Sequence, residues 1–217
     1  MSKGLFISFE GSEGCGKSTQ VSLLAERLRG MGCFVRTLRE PGGTPIGEEI
    51  RHTLKHSHQN HAMTGEAELL LMNASRAQLV REVIRPALAA GEIVLCDRFY
   101  DSTIAYQGYG RELNLATVRQ VIDLAVGHTR PDLTLLLHVS VEVSEGRRLA
   151  RQPHLPLDIQ RDRFEENDRA FFERVAQGYQ AIADSEPNRL RLIDANGSVE
   201  DVRREIWSRI QHLLARR

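Results

Sequence analysis

Eight residues near the beginning of the chain, Gly11-Ser-Glu-Gly-Cys-Gly16-Lys17-Ser18, constrain its fold more than any other stretch. They match G-x-x-x-x-G-K-[ST]. In this pattern glycines let backbone N–H groups turn inward around phosphate oxygens, and the helix that follows presents its positive end to the anion. Lys17 then reaches the β and γ phosphates of a nucleoside triphosphate, and the Ser18 hydroxyl binds Mg2+. The pattern carries meaning only between a strand and a helix. Both are present, since LFISF precedes it and the amphipathic STQVSLLAERL runs out of it. Gly11, Ser12, Glu13, Gly14, Cys15, Gly16, Lys17, Ser18 and Thr19 are therefore the candidate ATP-binding residues.

Around the motif, short β-branched or apolar runs alternate with amphipathic stretches, the pattern of a parallel sheet covered by helices. Strands are expected at Leu5–Phe9, Phe34–Leu38, Ile93–Cys96, Leu133–Val139 and Leu190–Ile193, with the continuous apolar character of strands buried on both faces. Helices are expected around Ser18–Arg29, Ile46–Lys55, Glu66–Ala89, Leu115–Val126, Val143–Ala150, Arg163–Asp184 and Val199–Leu214. Lys55–Thr64 and Gln152–Gln160, polar or proline-containing, read as exposed loops. With 217 residues, no internal repeat and no interdomain linker, the chain is expected to form one α/β domain over residues 1–217. That domain is a P-loop NTPase fold with a mobile, arginine-rich lid at about residues 147–163.

Lys plus Arg equals Asp plus Glu at 29 each, so no basic excess points to a nucleic-acid partner. Cys15, Cys33 and Cys96 fit neither a disulfide framework nor a zinc site, which suits a reduced, cytoplasmic setting. No apolar run approaches membrane-spanning length, and MSKGLFISFEG reads as a first strand, not a signal peptide.

A second element supports the first. Ile93-Val-Leu-Cys-Asp97 is an apolar strand ending in a carboxylate, where a P-loop protein puts its Mg2+-facing Asp. No Asn-Lys-x-Asp occurs, so the guanine-reading signal of a GTPase is missing. The chain instead carries arginines in loops and at strand ends: Arg39, Arg76, Arg98, and then Arg147, Arg148, Arg151, Arg161 and Arg163. Phosphoryl transfer to a nucleoside monophosphate accounts for them. Such an acceptor is already an anion at neutral pH and needs no general base. The barrier lies in bringing two polyanions together, which forked guanidinium groups and Mg2+ offset while water is excluded. Arg98 directly follows Asp97 at a strand's carboxyl edge, the place where ligands bind open α/β sheets. Arg81, Arg119, Arg203 and Arg209 read as solvated helix faces.

Asp97-Arg98-Phe99-Tyr100-Asp101-Ser102-Thr103-Ile104-Ala105-Tyr106-Gln107 resembles the signature D-R-[FYH]-x-x-S-[ST]-x-A-[FY]-Q of the thymidylate kinase family. Arg39-Glu40-Pro41-Gly42-Gly43-Thr44 is similar to its R-E-P-G-G-T loop, and Ala74-Ser75-Arg76-Ala77-Gln78 to its A-x-R-x-Q helix. Arg130-Pro131-Asp132-Leu133-Thr134 and Asp162-Arg163-Phe164-Glu165 continue the series in the family's order. The resemblance implies a homodimeric, five-stranded kinase that transfers the γ-phosphoryl group of ATP to dTMP with Mg2+. It implies that Arg98 grips the acceptor phosphate, with Arg39, Glu40 and Pro41 beside it. Glu13 takes the sugar 3′-hydroxyl and helps place Mg2+ together with Ser18 and Asp97. Arg76 meets a thymine carbonyl, Ser102, Thr103 and Gln107 line the acceptor pocket, and Tyr106 crowds the 2′ position. Gly14, where another subclass carries a basic residue, matches the bacterial subclass that draws its catalytic arginine from the lid, here Arg147 or Arg151. Met72 stands where many relatives stack an aromatic on the base, and the lid segment Gln152–Arg161 is longer than in some relatives.

Other signals are set aside. His52, His56, His58 and His61 cluster but lack acidic or cysteine partners, so they read as a surface loop. Cys15 is a small residue beside glycines, and the stripe Leu69, Met72, Leu79, Val80 and Val83 is core or dimer surface. The rival readings are a kinase for another deoxynucleoside monophosphate and a P-loop regulatory ATPase without transfer.

Overall fold

The computed structural model describes residues 4–57, 59–140, 143–144, 146–147, 163–164 and 167–214. Five parallel strands, β1 (Leu5–Glu10), β2 (Val35–Arg39), β3 (Ile93–Asp97), β4 (Leu133–His138) and β5 (Leu190–Asp194), form one sheet in the order β2-β3-β1-β4-β5. The chain leaves β1 toward one edge and later crosses to the other, so β1 lies at the switch point where an open α/β sheet has its ligand crevice. In the β1–β3 pair, Phe9 is level with Asp97. The glycine motif after β1 and the carboxylate ending β3 thus emerge side by side.

Alternation along β1 assigns its two faces. Leu5, Ile7 and Phe9 pack with Val21, Leu24 and Leu28 of α1 (Lys17–Gly30) and with Val202, Ile206 and Ile210 of the C-terminal helix Val199–Leu214. Phe6 belongs to the opposite layer, against Leu79, Val118, Val175 and Ile182. Ser8 and Glu10 share its face by period two and are both fully buried. Ser8 bonds Thr134 at 2.7 Å, and Thr134 Oγ1 donates to Asp101 at 3.2 Å, so polar groups in this layer answer one another.

Several helix starts carry side-chain caps. Thr44 accepts Gly47 N–H before α2 (Pro45–Lys55), Thr64 accepts Ala67 N–H before α3 (Gly65–Leu79), and Asn114 accepts Thr117 N–H before Leu115–Val126. The expected helix Glu66–Ala89 is continuous but passes through a wider π-type turn at Val80–Ile84 before α4 (Arg85–Ala89). Pro86 explains this: it has no N–H for the carbonyl four residues back, and its ring crowds that carbonyl.

Several expectations change. β2 and β5 are edge strands with much of their side-chain surface exposed, so only β1, β3 and β4 are buried on both faces. Phe34 falls outside β2 and is 83% exposed. The helix expected from Arg163 begins at Arg169, where the Asp168 carboxylate caps Phe171 N–H, and ends at Ser185; the labels α5, α6, α7 and α8 denote Tyr100–Thr103, Leu115–Val126, Arg169–Ser185 and Val199–Leu214. An unexpected element follows β3, where α5 runs into a π-type helix at Ile104–Gly110, almost wholly buried. Its aromatics and glycines show no amphipathic pattern, and packing against α6 and α7 sustains it. Half of the expected helix Val143–Ala150 and most of the lid lie outside the described residues.

The two phenylalanines give a test of this layering. Phe9→Ala should lower the unfolding free energy by about 3–5 kcal/mol in urea titration, as for a close-packed core aromatic. Phe34→Ala should stay within about 0.5 kcal/mol of the parent. A loss at Phe34 comparable to that at Phe9 would mean that the β2 edge is covered in solution.

Candidate active site

The phosphate-loop glycines are required by geometry. Gly11 has φ +134°, and a Cβ there would lie 2.3 Å from the Leu137 carbonyl oxygen. Gly14 has φ +73°, with the Ser144 carbonyl oxygen 2.9 Å from any added Cβ. Ser144 Oγ donates to the Glu13 carbonyl at 2.6 Å, fastening the residues that follow β4 onto the loop. Lys17 is buried and folds over the loop, donating to the carbonyls of Gly11 (3.1 Å) and Ser12 (2.7 Å), with Cys15 Sγ 3.5 Å away. Cys15 is buried, whereas Ser18 and Thr19 are exposed in the first turn of α1. Gly16 precedes that helix with φ +94°. Ser18 Oγ donates to Asp97 Oδ2 at 2.5 Å, so these two oxygens are already paired.

Arg98 occupies the left-handed region at φ 69°, which turns the chain sharply at the end of β3. Its Nη2 bonds Glu13 Oε1 at 2.7 Å and Tyr106 OH at 3.3 Å; its Nη1 bonds Ser102 Oγ at 3.1 Å and Tyr179 OH at 3.3 Å. The guanidinium also stands over the Tyr106 ring, 5.0 Å from its centroid. Burial opposes the ionisation of Glu13, but the charges of Arg98, Lys17 and Lys55 hold its carboxyl well below the usual carboxylate range. Behind Arg98, Glu10 accepts Phe99 N–H (2.7 Å), Ser102 Oγ (2.5 Å) and Tyr179 OH (3.1 Å). Burial, aided by the charge of Asp101, pushes Glu10 up to about 7 against the pull of Ser102, Arg98 and Phe99 N–H. Asp101 in turn receives both Nη groups of Arg189 at 2.7 and 2.8 Å.

Arg76 is almost completely enclosed, and each of its three guanidinium nitrogens has a partner. Nε and Nη2 face Glu40 Oε2 (2.8 and 2.7 Å), Nη1 donates to Asn73 (2.8 Å) and Thr103 (2.9 Å), and Nη2 also reaches the Phe99 carbonyl (3.2 Å). Every guanidinium nitrogen is thus already engaged with the protein in this arrangement. Burial raises the Glu40 carboxyl above its ordinary value although Arg76 pulls it down, and Glu40 Oε1 is buried without a partner. One turn beyond Thr103, Gln107 Nε2 donates to Glu68 Oε1 at 2.8 Å, and Gln107 Oε1 is likewise buried and unpartnered. Glu68 also takes Arg111 at 3.0 Å and Arg163. Met72, one turn from Arg76 on α3, is half-buried against the core.

Other candidates are farther from this cluster. Arg39 is exposed and pairs with Glu48 at 2.9 Å, while Pro41 is buried and its carbonyl accepts Arg51 at 2.9 Å. Arg147 donates to the Gly197 carbonyl at 3.3 Å, and Arg151 lies outside the described residues. Arg203 and Arg209 pair with Glu200 and Glu205 on a solvated face as expected. Arg81 does more, tying its helix to the end of α6 through the Ala125 carbonyl at 3.2 Å. His52 and His56 lie one turn apart with ring centroids 6.2 Å apart and planes tilted by 55°, and His58 is outside the described residues. A cavity of about 290 Å3 opens between the loop and α7, lined by Glu13, Leu137, Val139, Phe172 and Tyr179 among others.

Sequence reasoning missed Glu10, Glu68, Asp101, Tyr179 and Arg189. Glu10 carried one legible signal, a carboxylate on the inward-facing register of an apolar strand. Tyr179 sits on an ordinary amphipathic helix and gave none.

Comparison with known proteins bears on this arrangement. The profile of the family described as thymidylate kinase matches residues 9–206. The thymidylate kinase of Syntrophotalea carbinolica is 48% identical over 202 residues, covering 93% of each chain. That of Alcanivorax borkumensis is 46% identical over 212 residues, covering 98% of each. Among solved structures, thymidylate kinase from Ehrlichia chaffeensis superposes with a TM-score of 0.75 at 32% identity, covering 96% of this chain and 99% of that one. Likeness of this extent, in sequence and in three dimensions alike, makes this chain a member of the thymidylate kinase family.

Proposed function

We propose that this site transfers the γ-phosphoryl group of ATP to dTMP, giving ADP and dTDP, the activity carried by the family to which the chain belongs. The observation that carries the reading is the gathering of Lys17, the Ser18–Asp97 pair and Arg98 at one sheet edge, beside the phosphate loop. The loop and Lys17 hold the donor phosphates, with Lys17 leaving its carbonyl partners for them. Arg98 grips the acceptor phosphate by exchanging Glu13 for a phosphate oxygen at Nη2. Glu13, once released, is free to accept the sugar 3′-hydroxyl.

Ser18 and Asp97 offer hard oxygen donors 2.5 Å apart, a set suited to Mg2+, with Glu13 close by through Arg98. A bound Mg2+ supplies neutralisation of the phosphate charge. Tyr106, fixed by Arg98, faces the sugar, and Thr103, Gln107, Met72 and Ser102 border the acceptor. Arg76 reaches thymine only if it releases Asn73 or Thr103, so its first role is to hold Glu40 and the Phe99 carbonyl. Arg39, Glu40 and Pro41 border the acceptor phosphate through the Gly42–Gly43 turn. Arg147 and Arg151 supply the cation between donor and acceptor. We read the chain as a single kinase domain over residues 1–217, forming a homodimer, a reading supported by exposed Leu70 and Leu124 on neighbouring helices α3 and α6. Free Cys15, Cys33 and Cys96 support a cytoplasmic setting. No helix among the described residues is long and apolar enough to cross a membrane.

A coupled ADP-release assay with dTMP, dUMP, dCMP, dGMP and AMP tests the whole reading, and dTMP should give the highest kcat/KM. Acceptor-independent ADP release would instead mark an ATPase. Lys17→Ala should nearly abolish turnover while calorimetric dTMP binding persists; the reverse pattern would exchange the donor and acceptor sides. Arg98→Ala should weaken dTMP by about 2–4 kcal/mol and thymidine far less. Replacing Arg147 and Arg151 together should depress kcat with little change in KM. A folded double variant with parental kcat would remove the lid arginines from the mechanism.

A further inference from the structure

We propose that Glu10 is the positioning residue for Arg98, fixing one edge of the guanidinium so that the other is free to exchange partners. The inference rests on the reading of Arg98 as the acceptor-phosphate ligand. Glu10 ends β1 and faces the α7 layer by the strand's period-two alternation, a direction set by Phe6 and Ser8 before it. Its Oε1 takes the Phe99 N–H, which holds the turn immediately after Arg98. Its Oε2 takes the hydroxyls of Ser102 at 2.5 Å and Tyr179 at 3.1 Å.

A hydroxyl has one proton to give. A carboxylate offers only acceptors, so both hydroxyls turn their protons toward Glu10 and their lone pairs toward Arg98. Those lone pairs are what Nη1 meets, at 3.1 Å from Ser102 and 3.3 Å from Tyr179. The two hydroxyl oxygens are also 3.0 Å apart, and without an outside acceptor one would spend its proton on the other. Nη2 lies on the opposite edge, against Glu13 and Tyr106. Glu13 has 27% of its side-chain surface accessible, whereas Glu10 has none. An arriving phosphate can therefore displace Glu13 from Nη2, but nothing in solution competes for Nη1. Glu10 touches no reacting atom and acts through Arg98.

Glu10→Gln keeps the size and places an N–H where an acceptor stood. At least one hydroxyl must then reverse its proton toward Arg98. Calorimetry at pH 8, above the value of about 7 that burial gives this carboxyl, measures dTMP and thymidine without ATP. Glu10→Gln should raise the dTMP Kd on the order of tenfold and leave thymidine within about twofold. Tyr179→Phe, which removes one of the two hydroxyls without disturbing β1, should give a smaller loss of the same selectivity. In an Arg98→Ala background, neither change should weaken dTMP further. Equal weakening of both ligands, undiminished losses in the Arg98→Ala background, or a Tyr179→Phe protein with parental dTMP affinity would each overturn the assignment. Should Glu10→Gln not fold, the Tyr179→Phe arms decide the matter alone. If Arg98→Ala by itself fails to separate dTMP from thymidine, the phosphate reading of Arg98 is what has failed.

Discussion

At 2.7 Å, the Glu13–Arg98 ion pair ties the phosphate loop to the carboxyl end of β3, and the rest of the site is arranged around its charges. A buried ion pair is weak evidence for stability, because desolvation offsets much of the attraction. This one is partly open, and its value lies in what it can exchange. A guanidinium fork binds a carboxylate and a phosphate with the same donors, so under the proposed function an incoming phosphate replaces Glu13 without creating an unpaired cation. The sheet makes the pair achievable. Phe9 level with Asp97 sets the loop beside Arg98, and the positive φ of Arg98 turns its side chain back toward Glu13.

The neighbouring cation behaves differently. Arg76 engages all three guanidinium nitrogens inside the protein and is 2% exposed, against 14% for the Arg98 side chain. Its partners come from four places: the turn after β2, α3 itself, the end of β3 and α5. Removing it would leave Glu40 as an uncompensated buried charge, the costly half of a broken pair. The two arginines are thus a structural tie and an exchangeable contact set side by side. Type alone does not separate them, since both are arginines at strand or helix positions facing the crevice. The accessibility of their carboxylate partners does: the Glu40 side chain is 3% exposed and that of Glu13 27%.

Legibility followed the range of the interactions involved. The phosphate loop, the Ser18 and Asp97 oxygens and the central strands were readable because each is encoded in a few consecutive residues whose geometry admits little else. β2 was placed nearly correctly but its burial was not, because three of the five residues of VRTLR are polar, as an edge strand allows, and the apolar Phe34 in front of it masked this. The buried helix after β3 was unreadable because its stability comes from partners in α6 and α7, and its own residues favour no helix. Glu10 and Tyr179 meet across 169 positions of sequence. Glu68 gathers Gln107, Arg111 and Arg163 from two later segments. No local pattern marks such pairs.

Gly14 shows how one backbone choice propagates to the chemistry. Its φ of +73° already disfavours a side chain, and the Ser144 carbonyl would lie 2.9 Å from a Cβ. Ser144 is there because its hydroxyl holds the Glu13 carbonyl. A basic side chain at position 14 and a docked Ser144 are therefore mutually exclusive in this geometry. The chain has Ser144, so under the proposed function the cation that balances charge between donor and acceptor comes from elsewhere. The docking that bars it from the loop also sets where a substitute can originate, because the residues after Ser144 start from a point bonded to the phosphate loop. Arg147 lies three positions on, bonded to the Gly197 carbonyl. Among the described residues this is its one bond, and a bond to a neutral acceptor is far weaker than a phosphate's claim on a guanidinium. Among the described residues Arg147 is not committed to a carboxylate, which is the condition a cation needs if it is to move onto the phosphates.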